Sequence, residues 1–244
     1  MANPAGIANA KFTPMKTYSS NQKNQALTLI EAVVVIFIIG IFVMMLLPAL
    51  VRPPRHHGFS CINNLKQIGL AYRIWAGDNN DKYPMEVSVA NGGTMELMNT
   101  PDAWKTFQVM SNELSTPKVI YCPADSAHGG YATNFGDDLK NKISYFIGVD
   151  VTNGSVNILL SGDGNFLLNN SPANHGLVNV ASDNSLRWDI SRHVSTTRQA
   201  WFFKTKIGFG NIGLADGSVQ QLNNSGLSNL LQQTGLATNR LAIP

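Results

Sequence analysis

The clearest hydrophobic pattern in the chain is a long apolar run near its N-terminus. Residues 27–51 read LTLIEAVVVIFIIGIFVMMLLPALV, and residues 32–47 contain no polar side chain. A helix of this length spans about 37 Å, which is enough to cross a hydrocarbon core of about 30 Å. The run is also longer than the apolar core of an ordinary secretory signal peptide. The pattern therefore predicts a membrane-spanning helix over residues 27–51.

Polar residues precede this apolar run, and one acidic residue lies inside it near its start. Residues 1–26 are rich in small residues and carry Lys11, Lys16 and Lys23 but no acidic side chain, so composition predicts a disordered leader. Glu31 is a single acid inside the apolar run. A carboxylate at bilayer depth costs about 2.5 kcal/mol or more, and less near the interface. Two interpretations stay open: a functional charge that awaits a partner, or a wetted side chain at headgroup level.

A second helical pattern follows a break in the chain. Pro53 and Pro54 predict a rigid kink. Ser60 is then expected to cap a helix of about sixteen residues, which ends at Gly77 and the polar DNND sequence after it. Spacings of three and four place five apolar residues on one stripe of this helix: Cys61, Leu65, Ile68, Tyr72 and Trp75.

The C-terminal part of the chain carries short apolar segments separated by Gly, Asn, Asp and Pro, which is typical of an antiparallel sheet. A helix is predicted from Pro101 to Leu114, a hairpin turn at Asp216-Gly217, and a last helical piece over residues 226–233. The predicted strands are residues 118–122, 143–149, 156–160, 177–181, 185–190, 200–203, 212–214 and 218–222. The predicted fold class is α+β, with a long, kinked N-terminal transmembrane helix packed on a C-terminal antiparallel β-sheet.

Composition and cysteine content narrow the functional classes. Charged residues make up 14% of the chain and the net charge of +3 is scattered, which gives no case for a nucleic-acid partner. The two cysteines, Cys61 and Cys122, form no Cys-x-x-Cys pair, so a zinc knuckle is not predicted. In an exported domain they can form one disulfide or remain buried free thiols. The sequence leaves both alternatives open. A bridge needs the two Cα atoms to lie within about 7 Å of each other, and a sequence does not give that distance.

The acidic and histidine side chains form no recognisable catalytic motif, since His-x-His, His-Glu-x-x-His and Gly-x-Ser-x-Gly are all absent from the sequence. We expect most of them to lie in Gly- and Asn-rich turns, where short polar side chains satisfy backbone groups. The sequence therefore predicts a protein that is not an enzyme. The residues considered are Asp125, His128, Asp163, His175, His193 and Asp216.

Calcium is the one ion for which the sequence offers weak candidates. Asp78, Asn80 and Asp81 carry hard oxygen ligands, as do Asp163 and Asn165. Their spacing assigns no site, and turn formation is the competing interpretation. No other cofactor is predicted.

The segment Ala26–Glu31 (ALTLIE) resembles the processing site of type IV prepilins and type II secretion pseudopilins. The resemblance implies that a prepilin peptidase cleaves between Ala26 and Leu27, that Leu27 is then N-methylated, and that Glu31 becomes the fifth residue. Gly40 and Pro48 fall where major pseudopilins tend to carry glycine and proline. The residue before the cleaved bond is usually glycine in that family and is Ala26 here.

The same resemblance implies a function and a location. It predicts a leader over residues 1–26, a transmembrane and polymerisation helix over 27–51, and a pilin-like α+β domain over 52–244 in the periplasm or outside the cell. It implies a single-pass protein of the inner membrane that forms a filament with other copies or related pseudopilins. Its further partners would be prepilin peptidase, an inner-membrane assembly platform and membrane lipid. The alternative is a membrane-anchored surface binding protein that does not polymerise.

A second resemblance covers parts of the outer domain. Residues 60–71 (SCINNLKQIGLA), 78–84 (DNNDKYP), 119–125 (VIYCPAD) and 211–219 (NIGLADGSV) are similar to segments of prepilin-like proteins of planctomycetes and verrucomicrobia. Those proteins often carry a histidine upstream of the closing hairpin. Here His193 is expected to lie too far from the hairpin to count as a match.

Overall fold

The computed structural model consists of two units, residues 1–54 and residues 55–244. The leader, the proposed cleavage site at Ala26 and Leu27, and the predicted kink at Pro53 and Pro54 lie outside the described residues. The structure describes residues 28–50, 57–152, 154–173, 175–181, 186–200 and 203–244.

The first unit contains helix α1, Leu29–Leu50. All side chains of residues 29–46 are exposed, and the window Leu29–Leu46 has a mean hydropathy of 3.0. A helix that is apolar on every side is suited to lipid or to packing among other helices rather than to water. The predicted N-terminal helix is confirmed, and it is long and apolar enough to cross a membrane.

The second unit begins with helix α2, His57–Asp78. The predicted stripe from Cys61 to Trp75 is buried, and it packs this helix against the sheet. The expected cap at Ser60 was wrong, because the helix begins at His57 and Ser60 lies inside it. A single glycine such as Gly58 weakens a helix by only about 1 kcal/mol and does not stop one.

An antiparallel sheet forms the body of the second unit. The strands of this unit are β1 Tyr145–Gly148, β2 Leu159–Asp163, β3 Phe166–Leu168, β4 Ser171–Pro172, β5 Gly176–Ala181, β6 Leu186–Trp188, β7 Val194–Ala200, β8 Phe203–Leu214, β9 Val219–Asn223 and β10 Thr238–Ile243. The main sheet has the strand order β5-β10-β1-β2-β8-β7, with β9 paired to β8, and a smaller sheet has the order β4-β3-β6. The predicted α+β class is confirmed.

Both faces of the central strands are covered. Tyr145 and Ile147 of β1 join a core cluster with α2, whereas Phe146 between them joins a second cluster with helix α5, Asn224–Gln233. Alternation along a strand places neighbouring side chains on opposite faces. The central strands therefore form a buried middle layer, and the polar side chains of Asp163 in β2 and Asn211 in β8 are shielded from water.

Several predicted elements differ from the observed ones. Residues 118–122 were predicted as a strand, but Pro117–Ile120 is a short 3₁₀ helix that Thr116 caps by accepting a hydrogen bond from the backbone N–H of Lys118. Proline is favoured at the first helical position, which explains the difference. The single helix predicted from Pro101 is two helices, α3 Lys105–Val109 and α4 Ser111–Leu114.

Two strand predictions also need correction. The strand predicted at 156–160 begins at Leu159 and extends to Asp163. At residues 200–203, one strand ends at Ala200 and the next begins at Phe203. Strand β10 was not predicted, although it lies between β5 and β1 in the sheet.

Candidate functional site

The start of α1 is held by reciprocal hydrogen bonds between Thr28 and Glu31. The Thr28 backbone N–H and hydroxyl donate to Glu31 Oε2 at 2.9 and 2.8 Å, and the Glu31 backbone N–H donates to Thr28 Oγ1 at 3.4 Å. This is the capping-box arrangement, and an acid in the first turn also complements the helix dipole. In the single chain, Glu31 therefore stabilises the beginning of the apolar helix.

The other N-terminal candidates in the described part of α1 are Gly40 and Pro48. A Cβ atom built on Gly40 meets nothing within 4 Å, so space within the single chain does not require glycine there. Pro48 lies within the backbone span of α1. The roles assigned to Gly40 and Pro48 in assembly stay predictions, as do cleavage and methylation at Ala26 and Leu27.

Three of the weak calcium candidates, Asp78, Asn80 and Asp81, lie where α2 ends. Asn80 and Asp81 have φ values of 55° and 58°, and the Asp81 backbone N–H donates to the Ala76 carbonyl at 2.9 Å. Asn and Asp enter this left-handed region more readily than most residues. The geometry of Asn80 and Asp81 matches the turn-forming interpretation. Calcium binding by Asp78, Asn80 and Asp81 stays a prediction.

A buried ion cluster surrounds Asp125, which is only 1% exposed. Its Oδ2 lies 2.5 Å from Arg192 Nη2, 2.6 Å from His128 Nδ1 and 2.7 Å from Ser144 Oγ, which donates to it. Burial opposes ionisation of Asp125, but the hydrogen bond from His128, the charge of Arg192 and the Ser144 hydroxyl outweigh it and lower the pKa to about 2. Asp125 Oδ1 also accepts a hydrogen bond from the Ala127 backbone N–H, as expected of a turn residue. Its place in the buried ion cluster is a second role that the sequence did not predict.

A second polar cluster lies where β2 and β8 meet. The pairing of Gly162 with Ile212 places Asp163 beside Asn211. Asp163 Oδ2 accepts hydrogen bonds from the Asn211 backbone N–H and side-chain Nδ2, both at 2.8 Å, and lies 3.3 Å from His193 Nε2. Asp163 and His193 are 0% and 3% exposed. The expectation of a turn was wrong for Asp163, because it is the last residue of β2, whereas His193 lies directly before β7.

His193 also lies closer to the closing hairpin than the sequence suggested. Its Nε2 is 3.5 Å from Asn211 Nδ2, and its ring stacks on Phe209 with centroids 5.4 Å apart. The expectation of a large distance was wrong because β7 and β8 pair from Val194 and Gly208 onward. The chain leaves His193, forms this hairpin and returns beside it.

The two cysteines are joined by a disulfide, with Cα atoms 5.3 Å apart. The sequence left open a disulfide or two free thiols, and the structure shows the disulfide. It links α2, through Cys61, to Cys122, which follows the 3₁₀ helix. Cys122 Sγ lies 3.5 Å from His193 Nε2, so the disulfide borders the second polar cluster.

The remaining candidates, His175 and Asp216, lie outside both polar clusters. His175 Nδ1 contacts the carbonyl oxygen of Pro244. Asp216 accepts a hydrogen bond from the Ser218 backbone N–H at 2.8 Å in the β8–β9 turn, as a turn residue should, and this bond lowers its pKa. Sequence reasoning missed Arg192 and Asn211, although Asn211 opens the NIGLADGSV segment that carries the second resemblance.

Comparison with known proteins identifies the N-terminal segment. A family model described as the prokaryotic N-terminal methylation motif matches residues 21–47. No curated protein and no solved structure matches the chain. The matched residues include the Ala26–Leu27 bond, Glu31 and most of α1. The chain thus carries the prepilin-type methylation motif of type IV pilin-like proteins, at the head of an apolar helix and in an α+β architecture of the pilin-like kind.

Proposed function

We propose that the chain is a pseudopilin-like structural subunit of a filament of the type II secretion or type IV pilus kind. A prepilin peptidase would remove residues 1–26 and leave Leu27 as an N-methylated terminus. Other copies or related pseudopilins would then assemble with it through α1 at an inner-membrane platform. The observation that carries the proposal is the methylation motif at the head of a helix whose side chains from 29 to 46 are all exposed.

The exposure of α1 supports a role in association. Phe37 and Met44 are 69% and 75% exposed although both are large and apolar. Such side chains are suited to lipid before assembly and to neighbouring helices after it, where dispersion contacts and close packing replace contacts with lipid. Gly40 would allow a neighbouring helix to approach closely at the middle of α1.

Glu31 would set the register of that association. After cleavage, Leu27 would carry a positive amine close to the start of α1, and a carboxylate of an adjacent copy could pair with it. Slipping the helices would leave a charge buried without a partner, at a cost of about 3–5 kcal/mol. Thr28 supports this role, because its two hydrogen bonds hold Glu31 Oε2 at the first turn of the helix.

The substitution Glu31→Gln separates charge pairing from helix capping. Glutamine can still form the capping box with Thr28, but it has no charge to pair with an amine. We expect the variant to insert and fold normally and to be missing from sheared filaments and from subunit–subunit crosslinks. Glu96→Gln is the matched control, because Glu96 is an exposed acid of the second unit that bonds to Ser88 and Val89, and it should assemble normally.

Two results would count against the proposal. Normal incorporation of the Glu31→Gln variant would remove the charge-pairing role. A wild-type protein that stays monomeric in its membrane would favour the anchored surface binding protein instead.

The disulfide supports the proposed location of the second unit in the periplasm or outside the cell, since such bonds persist in those compartments.

A further inference from the structure

We propose that Cys61, Cys122, Asp163 and His193 form a buried site for a divalent cation of the zinc type when the disulfide is reduced. Each residue offers one ligand atom, the four side chains are all buried, and these atoms lie within 4.8 Å of one another. Two thiolates, one imidazole and one carboxylate are a ligand set that zinc accepts in tetrahedral geometry. The same four residues would thus have two alternative states, one a disulfide and the other a metal site.

Two of the separations between ligand atoms match tetrahedral zinc geometry. Zinc–ligand bonds of the usual lengths place a sulfur and a nitrogen ligand about 3.5 Å apart, and a nitrogen and an oxygen ligand about 3.3 Å apart. Here Cys122 Sγ is 3.5 Å from His193 Nε2, and His193 Nε2 is 3.3 Å from Asp163 Oδ2. Once the disulfide is broken, the two sulfur atoms need to separate to about 3.8 Å.

An unpaired oxygen supplies independent support. Asp163 Oδ1 is buried and has no hydrogen-bond partner among the residues that the structure describes. A buried carboxylate oxygen without a partner is costly and calls for an explanation. A cation bound through Asp163 Oδ2 would also lie close to Oδ1 and would give that oxygen the partner it lacks.

The surrounding residues already orient the ligands. Asn211 holds the Asp163 carboxylate with two hydrogen bonds. Phe209 stacks on the His193 ring and donates its backbone N–H to the His193 carbonyl at 3.1 Å. Contacts of this kind fix ligand orientation and sharpen metal affinity. Reduction therefore needs to rearrange mainly the two cysteines.

The chemical steps balance with a named reductant. A dithiol reagent transfers two electrons to the Cys61–Cys122 bond and becomes a disulfide itself, and two protons pass to the two cysteine sulfurs. Binding of the cation then releases both thiol protons, because thiolates are the ligands. In either state α2 remains tied to the segment that contains Cys122, by a covalent bond or through the metal.

The test compares two redox states of the full chain in detergent. One sample is reduced with a dithiol, the other stays oxidised, and both are incubated with Zn²⁺ or Co²⁺, freed of unbound metal without air and assayed for bound ions. We expect one ion per reduced chain, a sulfur-to-cobalt charge-transfer band with tetrahedral cobalt spectra, and no such ion in the oxidised chain. A reduced chain without metal, equal metal in both states, or a cobalt spectrum without thiolate ligands would overturn the proposal.

Variants locate the site. His193→Gln and Asp163→Asn should weaken zinc binding by the reduced chain by at least about tenfold, whereas His175→Gln should bind like the wild type, because His175 contacts Pro244 instead. Near-ultraviolet circular dichroism of each oxidised variant checks its fold. The redox comparison needs no variant. It therefore tests whether reduction creates a metal site even if a substitution prevents folding. Unchanged affinity in His193→Gln, or equal loss in His175→Gln, would contradict the assignment.

Discussion

The buried pair of Asp125 and Arg192 allows a sharp prediction about the stability of the second unit. Their side chains are 0% and 7% exposed, and Asp125 Oδ2 lies 2.5 Å from Arg192 Nη2. The substitution Asp125→Asn keeps the shape but leaves the guanidinium buried without its counter-charge, with the Ser144 carbonyl still accepting from it. Breaking a buried pair in this way costs about 3–5 kcal/mol.

Asp138→Asn is the matched control. Asp138 pairs with Lys142 at 2.8 Å, but these side chains are 36% and 30% exposed, and such pairs contribute about 0–1 kcal/mol. The free energy of unfolding is measured by urea titration of the full chain in detergent, followed by tryptophan fluorescence. We expect Asp125→Asn to lose several times more stability than Asp138→Asn. Equal losses in the two variants would refute the reasoning.

The pH dependence provides a second readout of the same pair. The pKa of Asp125 is about 2 in the folded chain and 3.8 for the free side chain, so the ionised form favours folding. Its contribution of about 2 kcal/mol is fully present above pH of about 4 and is lost as the pH falls toward about 2. Asp125→Asn has no such contribution, so its stability should fall less over that interval. Parallel curves for the wild type and the variant would contradict this account.

Two further predictions concern packing and the disulfide. Gly210→Ala should destabilise the chain by about 1–3 kcal/mol, because its new Cβ would lie 2.3 Å from the Trp188 ring. Gly77→Ala, whose Cβ meets nothing within 4 Å, is the control, and equal unfolding midpoints would contradict the packing argument. Cys122→Ser, measured with a metal chelator present, should cost about 4 kcal/mol, since the disulfide spans a sequence separation of 61 residues. An unfolding free energy equal to that of the oxidised wild type would show that the bridge does not stabilise the fold.

The elements that the sequence predicted well have local causes. Helix α1 follows from a continuous apolar run, and the buried face of α2 follows from a three-and-four spacing that begins at Cys61. The hairpin at Asp216-Gly217 follows from its turn residues, since Gly217 has a φ of 86°. In each case neighbouring residues alone carry the signal.

Most of the features that the sequence missed or left open depend on distant parts of the chain. Residues 117–120 (PKVI) form a segment too short for periodicity to decide between strand and helix. The meeting of His193 with Asn211 depends on the length of the β7–β8 hairpin, and the bonding of Cys61 to Cys122 depends on a tertiary distance. Strand β10 is placed by its pairing with β5 and β1, which a scan along the sequence does not show.

The central claim is that the chain is a processed prepilin, and mass spectrometry of the protein purified from its native membrane tests it most directly. The account predicts a mature chain that begins with N-methylated Leu27 and lacks residues 1–26. A mature protein that retains its Met1 terminus and the lysine-bearing leader would contradict it.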